Sequence, residues 1–154
     1  MTIPNSVTTI GNSAFSGCSI LESVTIPNSV TSIGQYAFNE CSKLASVYIT
    51  DLIAWMKIKF GNSWSNPLYN GADLYSNGSL VKNLVIPDSV EEIGAKAFNG
   101  CTGLTSVTFK DTNNWYYTSN SDYTDGMAVD MTTPAQNATY LTSTYYSYYW
   151  YKAE

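Results

Sequence analysis

Residues 3–26 read IPNSVTTIGNSAFSGCSILESVTI, and residues 26–49 read IPNSVTSIGQYAFNECSKLASVYI, the same pattern displaced by 23 positions. It returns over residues 86–109 as IPDSVEEIGAKAFNGCTGLTSVTF. Equivalent places carry Ile3, Ile26 and Ile86; Val7, Val30 and Val90; Phe15, Phe38 and Phe98; Cys18, Cys41 and Cys101. A unit this short cannot bury its own apolar face. Copies must therefore stack so that neighbours share one continuous core, which makes the chain a solenoid.

Within a unit, Leu21-x-x-Val24-x-Ile26 ends in the in-and-out alternation of a short strand. Pro4, Pro27 or Pro87 follows, and without an N–H it ends the hydrogen-bond ladder there. Val30-x-x-Ile33-Gly34 comes next, then a short helical turn with Ala37, Phe38 and Cys41 on one inward face. The expected fold is α/β: a solenoid, resembling leucine-rich repeats, with one short parallel strand and one short helical turn per 23-residue repeat. Residues 1–109 form the array, with repeats near 3–25, 26–48 and 86–109 and an enlarged repeat at 49–85.

The string IPxSVxxIGxxAFxxCxxLxSVxI resembles the BspA-like leucine-rich repeats of bacterial cell-surface proteins, over nearly all of residues 2–109. The resemblance implies a right-handed solenoid on an exported protein associated with adhesion to host proteins and other cells. In one respect the sequence departs from the general leucine-rich pattern. The usual asparagine after the third apolar residue is missing, with Ser29 near its place, so no asparagine ladder is expected.

The enlarged repeat carries its own signals. Asp51 is placed to cap a helix over Leu52, Trp55 and Met56 that ends near Phe60-Gly61. Asn77-Gly78 between apolar alternations predicts a hairpin. After Phe109 the period stops, and residues 110–154 hold nine of the thirteen tyrosines and two of the four tryptophans. Trp115-Tyr116-Tyr117 predicts a strand, and Thr133-Pro134 opens a helix through Ala138 and Leu141. The end of a solenoid exposes an apolar layer, so this segment is read as an aromatic-rich cap. The alternative is a flat platform of Trp64, Trp115, Tyr116, Tyr117, Tyr146, Tyr148, Tyr149, Trp150 and Tyr151 for stacking sugar rings.

Composition narrows the function. Charged residues are 12% of the chain, against about a quarter in ordinary domains. The net charge is −5, with seven lysines and neither arginine nor histidine. Without a basic patch or a guanidinium fork the chain has no footprint for nucleic acid. Without histidine it lacks the commonest general base and metal ligand. No run of eighteen apolar residues is present, so no transmembrane segment is expected. The Ser-, Thr-, Asn- and Tyr-rich surface fits an exported protein, and the expected location is extracellular or at the cell surface. The first unit lacks the Leu-x-x-Val half of its strand, so the array is expected to continue upstream of Met1.

Cys18, Cys41 and Cys101 repeat one position of successive units, with neither histidine nor a CxxC pair to complete a zinc site. Stacked helical turns would lie about 8–10 Å apart, beyond disulfide reach, so the three are read as small buried apolar residues. Asp122, Asp125-Gly126 and Asp130 have some character of a calcium loop but lack its alternating ligands and closing glutamate, and read as a solvated loop. Glu91-Glu92 reads as exposed surface. The sequons at Asn77 and Asn137 carry no weight in a chain of bacterial type. No catalytic residue, metal ligand or cofactor site is assigned.

The expected function is recognition. A protein ligand, such as a host extracellular protein, would lie on the outward positions of the strand ladder, with a carbohydrate on the C-terminal aromatics as the alternative. Burying Val24 and Ile26 turns Thr25 outward. The same register is expected to set Tyr48, Val85 and Thr108 side by side, with Lys82 flanking them.

Overall fold

The computed structural model describes residues 1–153. The repeats wind into a β-solenoid of about four coils with few helices. Each of the first two units gives one two-residue and one four-residue strand: β1 (Thr9–Ile10) and β2 (Ser23–Ile26), then β3 (Ser32–Ile33) and β4 (Ser46–Ile49). The long strands pair in parallel with Val24 beside Val47 and Ile26 beside Ile49. In the short ones Ile10 lies beside Ile33. Like therefore stacks on like along the axis, and Phe15 and Phe38 stack at 5.2 Å in the same way.

The segment between short and long strand is a chain of tight turns rather than the expected helical turn. Ala37, Asn39 and Cys41 donate to the carbonyls of Gly34, Tyr36 and Phe38, three residues back in each case. The cause is backbone conformation. Tyr36 and Glu40 have φ of 58°, and their counterparts Ser13 and Lys96, Gly17 and Gly100 are also left-handed. A left-handed residue twice per unit stops each turn before a bond to the fourth residue can form. Ala37, Phe38 and Cys41 are nevertheless all buried.

Residues 50–76 make a coil of their own. Asp51 caps α1 (Leu52–Met56) by accepting from the Ala54 N–H at 2.9 Å. The helix ends earlier than Phe60, because Lys59–Phe60 (β5) joins the short ladder with Phe60 buried beside Ile33. Asp73–Ser76 (β6) then joins the long ladder with Leu74 beside Val47, a step of 27 residues in place of 23. Asn77 and Gly78, with φ of 50° and 77°, turn the chain back into Ser79–Leu80 (β7), which pairs antiparallel with β6 and closes that sheet. The Trp55 indole N–H (2.8 Å) and the Asn66 amide (3.3 Å) both reach the Ala97 carbonyl and tie this coil to the next.

The last coil contains β8 (Asn83–Ile86), β9 (Glu92–Ile93) and β10 (Ser106–Phe109), with β8 and β10 parallel. In place of an asparagine ladder, hydroxyls join the coils. Ser29 Oγ donates to the Val7 carbonyl at 2.8 Å, Thr31 Oγ1 to Thr8 at 3.2 Å, and Thr105 Oγ1 to Lys82 at 3.1 Å.

The C-terminal segment covers both exposed edges of this coil. It forms β11 (Trp115–Thr118), β12 (Met127–Ala128), α2 (Pro134–Thr139), a wider helical turn over Tyr140–Thr144, and β13 (Tyr149–Lys152). Strand β13 lies antiparallel to β9 with Trp150 beside Ile93, while α2 lies against β10. The Trp115 ring meets Phe109 edge-on at 4.8 Å. No helix of the described residues is long and apolar enough to cross a membrane.

Candidate functional site

The outward side chains of the long ladder form the candidate surface. Alternation along β4 buries Val47 and Ile49 and leaves Tyr48 38% exposed. The parallel register puts Thr25 on one side of Tyr48 and Tyr75 on the other. Tyr48 and Tyr75 stack with ring centres 4.9 Å apart and planes 24° apart. The outcome is a row of a threonine and two stacked phenols. It offers ring area from two side chains already packed on each other, so less side-chain entropy remains to be lost on contact.

Val85 and Thr108 are neighbours, as the register of β8 and β10 requires, and both are exposed. They do not continue the Tyr48 row. The hairpin of β6 and β7 stands between the two sets, so Tyr48 has Tyr75 as its neighbour and not Val85. Lys82 lies at the turn into β8, exposed, with its carbonyl accepting from Thr105 and Ser106. Sequence reasoning missed Tyr75 because the step of 27 residues hid its rung. The signal present was Leu74-Tyr75, apolar then aromatic, repeating Val47-Tyr48.

The C-terminal aromatics divide into a buried set and a half-buried one, the latter holding Tyr116, Tyr146, Tyr148, Tyr149 and Tyr151. Trp115 and Trp150 are buried, as is most of Tyr117, which stacks on Tyr145 at 4.2 Å. A hydrogen bond with Tyr145 and then burial push the Tyr117 phenol up to about 12. The exposed tryptophan is Trp64, stacked on Tyr36 at 5.5 Å outside this segment. Tyr123, at φ 60°, packs edge-on against Tyr149 and Tyr151.

Glu92 departs from the expected exposed surface. It is half-buried, paired in register with Tyr151, and lies against the Tyr123 hydroxyl. Burial first, and that carboxylate next, hold the Tyr123 phenol above its ordinary range. The cysteine-bearing turns of the first two coils are closer than stacked helices would be, because their backbones hydrogen-bond directly. The Phe15 N–H donates to the Ala37 carbonyl at 2.9 Å and the Gly17 N–H to that of Asn39 at 2.8 Å. The cysteines themselves also differ. Cys41 and Cys101 are buried, whereas Cys18, in the first coil, is half-buried. Burial pushes the Cys101 thiol up to about 12; burial and then the neighbouring Cys18 raise that of Cys41. Asp122 and Asp130 accept from Thr124 and Thr132 in local turns. Among the described residues, no group of three or more His, Cys, Asp or Glu is placed to hold a metal ion.

A comparison with curated proteins returned no match. Among solved structures, the chain is similar to a leucine-rich repeat protein from Bacteroides ovatus, 34% identical, with 69% of this chain and 24% of that one covered and a TM-score of 0.39. A second, from T. pallidum, is 29% identical over 70% of this chain and 57% of that one, with a TM-score of 0.39. A third, from Eubacterium ventriosum, is 23% identical over 77% and 33%, with a TM-score of 0.43. The chain thus spans about a quarter of the length of the Bacteroides ovatus protein. The family model for the BspA type leucine rich repeat region matches in six copies, over residues 1–62 and 71–147. With its 23-residue units stacked as coils and most of its length matched, the chain belongs to the BspA-type leucine-rich-repeat family.

Proposed function

We propose that this chain is a recognition segment of a bacterial cell-surface adhesion protein, binding a protein partner through the outward face of its long ladder. Leucine-rich repeat families generally bind proteins and are generally not enzymes. The observation that carries the reading is the Tyr48–Tyr75 stack on the outward side of the long ladder, with Tyr48 exposed and Tyr75 half-buried. Tyrosine is enriched at protein interfaces, and continuous solenoid faces are the usual contact surface of repeat proteins. Thr25 extends this row at one end, and Lys82, Val85 and Thr108 supply a second contact patch beyond the hairpin. A host extracellular protein is the partner class that fits an exported adhesin. The surface carries few charges, so affinity should depend weakly on salt.

The test is an array of extracellular-matrix and serum proteins probed with the chain and with a Tyr48→Ala, Tyr75→Ala variant of unchanged melting temperature. Binding of an arrayed protein that weakens at least tenfold in the variant supports the reading. Binding that is indifferent to the variant, or no bound protein, overturns it.

A further inference from the structure

We propose that the cleft between β5 and β9 binds an acidic sugar, a pyranose ring carrying a carboxylate. This site is separate from the Tyr48–Tyr75 row, and neither reading rests on the other.

The cleft exists because the short ladder parts there. Strand β5 pairs with β3, and β9 takes β13 as its partner. The coils are held together beside the gap by the Gly94 N–H, which donates to the Met56 carbonyl at 2.7 Å. Outward positions that carry Thr9 and Ser32 in earlier coils carry Lys59 on one lip and Glu92 on the other. The opening measures about 440 Å³, within the range of about 300–1,000 Å³ typical of small-molecule sites. The C-terminal segment completes its wall with Ser121, Tyr123 and Tyr149.

The lining has complementary parts. Lys57 and Lys59 are exposed, and neither is ion-paired among the described residues, where Lys152 pairs with Asp111. Two free ammonium groups in a chain of net charge −5 favour one anionic group at that lip. Glu92 and the Ser121 hydroxyl offer acceptors, and in the case of Ser121 a donor, suited to ring hydroxyls. The Tyr149 ring is half-buried at the wall and supplies aromatic surface suited to the C–H side of a pyranose. Tyr123, left-handed at φ 60°, packs edge-on against Tyr149 at this wall. A neutral sugar would leave both ammonium groups unmatched, and a small carboxylate would leave Glu92, Ser121 and Tyr149 unused.

Amide NMR spectra of the full chain titrated with glucuronate, glucose and acetate separate these cases. The expected result is saturable shifts at Lys57–Phe60, Glu92–Ala95 and Ser121–Tyr123, with glucuronate at least tenfold tighter than either control. A Lys57→Gln, Lys59→Gln variant should lose at least fivefold for glucuronate, and Tyr149→Ala should weaken it too while leaving the remaining spectrum folded. The proposal is overturned if glucuronate causes no shifts there, if glucose or acetate binds equally, or if the lysine variant retains full affinity.

Discussion

The Asn137 side-chain amide donates to the Val107 carbonyl at 2.9 Å and to the Met131 carbonyl at 2.9 Å. Val107 sits on β10, and α2 lies where a further coil would place its strand. One side chain thereby supplies the hydrogen bond that the next rung would have made. Asn137 is fully buried, its own Oδ1 without a partner. Asn137→Ala leaves two buried carbonyls unsatisfied and should lower unfolding free energy by about 1–3 kcal/mol. Asn137→Asp should cost more, because a carboxylate would then face carbonyl oxygens. Urea denaturation of the three proteins checks both the size and the order.

Gly17, Glu40 and Gly100 hold equivalent left-handed positions in the turn segments of the three 23-residue units. Glu40, exposed at φ 58°, should gain about 1 kcal/mol on replacement by glycine, the residue found at Gly17 and Gly100. Gly100→Ala should act in the opposite sense and by more, since a Cβ there would lie 2.3 Å from the Leu68 carbonyl oxygen. Thermal melts of the two variants should move in opposite directions.

Thiol labelling should resolve the three cysteines. Cys18, half-buried, should react with a small disulfide reagent in the native state well before Cys41 and Cys101, which are buried with raised pKa values. Three equivalents should appear on denaturation without reductant. Equal native rates at all three would contradict the burial gradient.

The Asp111 carboxylate is held below its ordinary range, first by its hydrogen bond from Lys152 and next by the Asn113 N–H. Its contribution to stability is therefore present above the ordinary carboxylate pKa and is lost as pH falls through the lower folded value. Lys152→Met should flatten that part of the acid-unfolding curve, followed by circular dichroism between neutral pH and strong acid.

The period of 23 residues made the coils, the inward positions and the pairing of Thr25 with Tyr48 and of Val85 with Thr108 legible in advance, because register in a solenoid follows directly from repeat length. The step from Val47 to Leu74 was hidden, since a loop of altered length breaks the fixed period and leaves only the short Leu74-Tyr75 echo of Val47-Tyr48. The left-handed backbone at Tyr36 and Glu40 also escaped notice: neither residue type signals that conformation, and only Gly17 and Gly100 hinted at it. Asn137 read as a sequon, and its role depends on a contact 30 residues away that no local pattern records.

The most direct test of the account is the affinity of the chain for whichever extracellular-matrix or serum protein it binds on an array, measured by surface plasmon resonance before and after Tyr48→Ala with Tyr75→Ala. Both rings stand outside the core, so the double variant should melt within about 1 kcal/mol of the parent. The predicted result is a loss of at least tenfold in affinity with little dependence on salt, and no comparable loss for Trp64→Ala. Unchanged affinity in a folded double variant would contradict the assignment of the long-ladder face as the binding surface.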